Sequence, residues 1–128
     1  MDVFALIEDL GVRLEYRTDL PPGRLGAYYD DERLIVVRSN LTLALEAETL
    51  CHEYVHAKYR DRSCHPTLEH RAQREAALML IHPDDYARAE RVNTSPLAIA
   101  QELGVTLHLV RVFQHGVMSG MIRLPAVA

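Results

Sequence analysis

The sequence predicts an α+β domain, a small antiparallel sheet of about three strands packed on helices. Two observations carry this. Short strand-like runs broken by turn residues are confined to residues 12–38, and from residue 42 onward the pattern is helical, with Pro66, Pro83 and Pro96 each placed to start a helix. A single helical segment precedes the strands.

That first helix covers residues 3–10, where Val3, Leu6, Ile7 and Leu10 share one face, and Gly11 is placed to stop it. VRLEY, residues 12–16, alternates and reads as a strand. TDLPPG is a turn-rich loop. LGAYY, DDE and RLIVVR read as a hairpin, with strands near 25–29 and 33–38 around an acidic turn. Ser39 and Asn40 can cap a helix running from about Thr42 to Tyr59. After the DRSCH loop, a second long helix covers 66–81, and a short one runs from Pro83 through Arg91. Asn93, Thr94 and Ser95 offer caps before PLAIAQEL, and TLHLVRVFQ follows beyond Gly104-Val105.

The chain has 128 residues, enough for one domain spanning 1–128 with a core of its own, the C-terminal helical extension lying at about 94–115. Apolar residues make up 48% and charged residues 25%, an ordinary globular balance. A formal net charge of −4 argues against a protein that lives on nucleic acid. Residues 1–10 carry three acids and no basic start, so no secretion leader is expected, and no apolar run reaches the ~18 residues of a membrane helix. Cys51 and Cys64 are then free thiols of a cytoplasmic protein rather than a disulfide.

Residues 51–60, CHEYVHAKYR, contain His-Glu-x-x-His. On a helix His52 and His56 stand at i and i+4 and point the same way, one turn apart, so both imidazoles can hold one Zn²⁺ on a zincin-like active helix. Glu53 sits one step round, beside the metal, where its carboxylate can take a proton from metal-bound water. The bland alternative is a surface helix with two solvated histidines.

A third ligand is required. Position 62, six residues past His56, is Arg, so the long metzincin form is absent. An acid on the next helix is the alternative. Glu69 lies in that helix's first turn, adjacent in space to the last turn holding His56 if the two helices are antiparallel neighbours. Ala72, Gln73, Ala76 and Leu80 follow it on a core face, where a carboxylate needs a partner. Glu75 lies about 9 Å further along the helix and is a weaker candidate. Asp61 could orient a ligand imidazole, and Tyr59, His65 and His70 could meet substrate or support the ligands. Tyr28, Tyr29, Tyr59, His65 and His70 are the candidates for stabilising an oxyanion. Cys51 points about 100° from His52 and reads as a small buried residue, whereas Cys64 could approach the metal as a blocking thiolate.

Three stretches resemble the ImmA/IrrE family of small bacterial and phage zinc metallopeptidases. RLIVVRSNL leading into ETLCHEYVHA is similar to the family's strand and active helix. EHRAQREAALMLIHP is similar to its second helix, and PPGRLGAYYDD to the loop and glycine strand before the site. The likeness spans roughly residues 20–115 and is nearest to short actinobacterial or actinophage members. It departs at Val55, Gln73 and Glu75. The resemblance implies zinc on His52, His56 and Glu69, Glu53 as general base, and cleavage of a protein partner, typically a repressor of a phage or mobile element.

Two other readings compete. SPLAIAQELGVTLHLVRVFQ has helix-turn-helix spacing and would expose Leu107, His108, Arg111 and Gln114 to DNA, through about 95–115. Only Arg111 of these is basic, and DNA affinity needs several cations. Alternatively the chain binds a regulatory partner without cutting it, zinc serving only to stabilise the fold. For a peptidase, residues 33–38 are expected to form the sheet edge to which a substrate strand adds.

Overall fold

A computed structural model describes residues 2–126. Helix α1 (Val3–Asp9) is capped by Asp2, whose carboxylate accepts from the backbone of Phe4 and Ala5. It ends at left-handed Gly11, φ 72°, with Val12 N–H bonded back to the Ile7 carbonyl. Three strands follow, β1 (Arg13–Arg17), β2 (Gly26–Tyr29) and β3 (Leu34–Arg38).

The sheet is mixed rather than antiparallel, with order β1-β3-β2. The expected β2–β3 hairpin is present, Tyr29 pairing with Leu34, but β1 runs parallel to β3, Arg13 beside Leu34 and Arg17 beside Arg38. The reason lies in LIVV. Leu34, Ile35, Val36 and Val37 are all buried, and a run apolar on both faces belongs in the middle of a sheet. The loop at 18–25 therefore carries the chain past β3 to its far side before β2 begins.

Helix α2 (Leu43–Tyr59) starts at Thr42, not at Ser39 or Asn40: the Thr42 hydroxyl accepts from Leu45 N–H, while Asn40 takes a left-handed turn at φ 64°. Its other end closes on Arg60, also left-handed, with Asp61 N–H bonded to the His56 carbonyl at 2.9 Å. Helices α3 (Pro66–Leu80), α4 (Pro83–Val92) and α5 (Pro96–Leu103) each begin with proline and are capped by His65, His82 and Ser95. Gly104, φ 70°, turns the chain into α6 (Leu107–Met118). Among the described residues no helix is long and apolar enough to cross a membrane.

Two apolar clusters form. Ile7, Val12, Ile35, Val37, Leu50 and Ala57 join α1 and the sheet to α2. Ala77, Ile81, Tyr86, Ile99, Val110 and Phe113, with others, join α3 to α6. Helices α2 and α3 pack on each other, and buried Ala72 and Ala76 on α3 offer little bulk to hold them apart. That joint carries the candidate site.

Candidate metal centre

His52, His56 and Glu69 come together, one donor atom from each lying within 4.8 Å of the others, a group that could hold a metal ion. The two Nε2 atoms are 3.2 Å apart. The Glu69 carboxylate straddles them, Oε2 at 3.3 Å from His52 Nε2 and Oε1 at 2.7 Å from His56 Nε2.

Asp61 fixes the His56 tautomer. Its Oδ2 lies 2.8 Å from His56 Nδ1. A carboxylate only accepts, so Nδ1 carries a proton, and the neutral ring then presents its lone pair at Nε2. In the neutral ring that lone pair faces a carboxylate oxygen at 2.7 Å, a contact that a shared cation relieves. Burial, together with His56, pushes the His52 imidazole below its ordinary value, toward the neutral form that a ligand takes.

The local backbone explains where Asp61 stands. A left-handed residue at 60 lets Asp61 fold back on α2, so its N–H meets the His56 carbonyl and its side chain the same residue's ring. A non-glycine in this conformation costs roughly 1–2 kcal/mol. The Arg60 guanidinium lies on Asp30, 3.0 Å away. Asp30, at the β2–β3 turn, also accepts from the Tyr28 hydroxyl and pairs with Arg62 and Arg33. Arg33 in turn donates to the carbonyls of Leu10 and Ala57, tying α1 and α2 to the turn.

Glu53 is 7% exposed on the face of α2 turned toward β2. Burial is the main cause that pushes its carboxyl up to about 7, with the Glu69 charge adding to it. Gly26 makes the approach possible. A Cβ there would stand 2.8 Å from Thr49 Cγ2 and 3.2 Å from Glu53 Cγ. The site opens into two adjoining cavities of about 710 and 580 Å³ that share Arg24, Gly26, His52, Glu53 and Glu69. Residues 33–38 do not form the expected sheet edge, because β3 is paired on both sides; the outer strand lining the cleft is β2.

The remaining expected residues separate clearly. His65 Nδ1 accepts from Thr67 N–H as the cap of α3. The Tyr59 hydroxyl donates to Glu75, which also pairs with Lys58, so Glu75 is not a ligand. Tyr28 is committed to Asp30 and Arg33, while exposed Tyr29 lines the cleft. His70 faces a third cavity, outside the ligand group. Cys64 lines the cleft but is not among the ligands. Burial pushes the Cys51 thiol up to about 12, which makes it inert.

Two side chains escaped the sequence reading, and a third, His108, was expected on a DNA-facing helix rather than at the cleft. Arg71 donates to Asp61 Oδ1 at 2.7 Å and stacks 3.7 Å from the Tyr59 ring centre, holding Asp61 from behind. Glu48 accepts from Thr106, the cap of α6, and lies 3.0 Å from His108 Nδ1. His108 thereby reaches the cleft from the C-terminal helical part. Only the i, i+4 spacing of Glu48 and His52 hinted that Glu48 belongs to the cleft. No protein-family model matches the chain, and no curated protein matches it.

Proposed function

We propose that the chain is a zinc-dependent endopeptidase of the ImmA/IrrE kind that cleaves a regulatory protein, such as the repressor of a phage or mobile element. The observation that carries this reading is the ligand geometry beside a buried glutamate. Two nitrogens each about 2.0–2.1 Å from one tetrahedral zinc stand about 3.3 Å apart. His52 and His56 stand at 3.2 Å, and Glu69 closes a third corner. Three protein ligands leave one position open, the hallmark of a catalytic rather than a structural site.

Bound there, zinc would supply a Lewis acid and a water acidic enough to attack at neutral pH. The chain's own residues do the rest. Glu53, not a ligand, takes a proton from the attacking water and hands it to the leaving amine. Asp61, braced by Arg71, holds the His56 ring in its ligating tautomer. An extended substrate adds along β2, presenting its backbone to the cleft.

A DNA-reading role for α5 and α6 draws less support. Of the four side chains it needs, His108 is tied to Glu48 and Gln114 donates to the Tyr86 hydroxyl.

The test is Glu53→Gln, co-expressed with candidate partner proteins encoded beside it. Wild type should yield a cleaved partner, and the variant should lose cleavage by several orders of magnitude while keeping fold and metal. Equal neutralisation of an intact partner by both forms would replace the peptidase with a binding protein.

A further inference from the structure

A third cavity, of about 410 Å³, lies between α3 and α6 and shares Gln73 and His108 with the cleft. Arg74 and Arg111 stand in its walls, and Val112 and Met121 supply apolar surface. None of its ten lining residues is acidic, in a chain with 18 acids and 14 bases. Several other arginines are engaged with carboxylates, as at Asp30 and Asp61. Arg74 and Arg111 make no ion pair and no side-chain hydrogen bond with any of the described residues. Two guanidiniums at one groove without an internal anion leave a charge that a ligand can meet.

We propose that this groove is the continuation of the substrate cleft and binds an acidic side chain of the protein substrate, flanked by an apolar one. The proposal rests on the peptidase reading for the word substrate, and on the groove alone for the binding chemistry. A planar guanidinium pairs a carboxylate through two parallel N–H···O bonds, and an aliphatic neighbour would cover Val112 and Met121. A nucleic acid fits less well, since polyanion binding needs many phosphate contacts and the chain carries a net charge of −4.

The experiment separates binding from cleavage by using the zinc-loaded Glu53→Gln protein. Fluorescein-labelled ten-residue peptides are titrated by anisotropy, one alternating Glu and Leu, one with every Glu replaced by Gln. The acidic peptide should bind roughly tenfold more tightly, as charge-assisted hydrogen bonds allow. Arg74→Gln with Arg111→Gln should remove that preference and leave the amide peptide's affinity unchanged. Arg111→Glu should shift preference toward a Lys-Leu peptide. Equal affinities, no measurable binding of the acidic peptide, or a preference that survives the double variant would overturn the proposal. So would tighter binding of a 20-base-pair duplex through the same two arginines. A peptidase reading that failed in the cleavage experiment would leave these affinities standing, so the two failures are distinguishable.

Discussion

Replacing Asp61 by Asn tests how far the second layer of the site controls the first. The carboxylate is 6% exposed and serves two partners, His56 Nδ1 at 2.8 Å and Arg71 at 2.7 Å, both of them donors. An amide has one acceptor and one donor end. With its oxygen toward His56, its NH₂ meets the Arg71 guanidinium, donor against donor. Turned round, its NH₂ meets Nδ1 and drives the ring proton to Nε2, the atom that must hold the metal. Either way one contact fails. Losing such a partner weakens metal binding by about 10- to 100-fold, or roughly 1.4–2.7 kcal/mol. A half-buried Arg71 left without its carboxylate costs the apo protein about 1 kcal/mol in addition. The zinc affinity is read by competition with a chromophoric chelator, and the apo stability by urea unfolding. An unchanged zinc affinity in Asp61→Asn would refute the claim that Asp61 sets the His56 tautomer.

Two further outcomes follow from the packing around the cleft. In Gly26→Ala the new methyl would stand 2.8 Å from Thr49 Cγ2 and 3.0 Å from the Val36 carbonyl oxygen, which is backbone and yields little. Urea unfolding should show a loss of about 1–3 kcal/mol, and cleavage should fall as β2 is pushed off Glu53. The second concerns acid. The Tyr28 hydroxyl and the Arg60 guanidinium hold the Asp30 carboxyl down to about 2, against 3.8 unperturbed. A depressed folded-state value stabilises the fold above pH ~4 and is lost as pH falls toward ~2. Melting temperature followed over that window should drop more steeply in wild type than in Asp30→Asn, and parallel slopes would remove Asp30 from the acid response.

Much of this arrangement is legible in the sequence, for reasons that are local. His52, Glu53 and His56 are placed by helical periodicity alone, and the prolines mark the starts of α3, α4 and α5. Glu69 is reached because the loop between α2 and α3 is too short to let their facing turns separate. The sheet was misread where pairing is non-local. A hairpin signal joins β2 to β3, but nothing nearby in the chain says that β1 runs parallel to β3, save that LIVV is apolar on both faces. Arg71 was missed, and His108 was assigned to a DNA-facing surface, for the same cause. Each matters through a partner on another turn or another element, Asp61 and Glu48, and neither pairing leaves a spacing to read.

Whether His52, His56 and Glu69 hold one catalytic metal is read by elemental analysis of the purified protein by plasma mass spectrometry. Wild type and Glu53→Gln should each carry about one zinc per chain, since three ligands suffice and Glu53 is not among them. His52→Ala, His56→Ala and Glu69→Ala should each lose that zinc while still folded. A wild-type protein that neither carries zinc nor takes it up would rule out the metal centre, and a Glu69→Ala variant that keeps zinc in full would remove Glu69 from it.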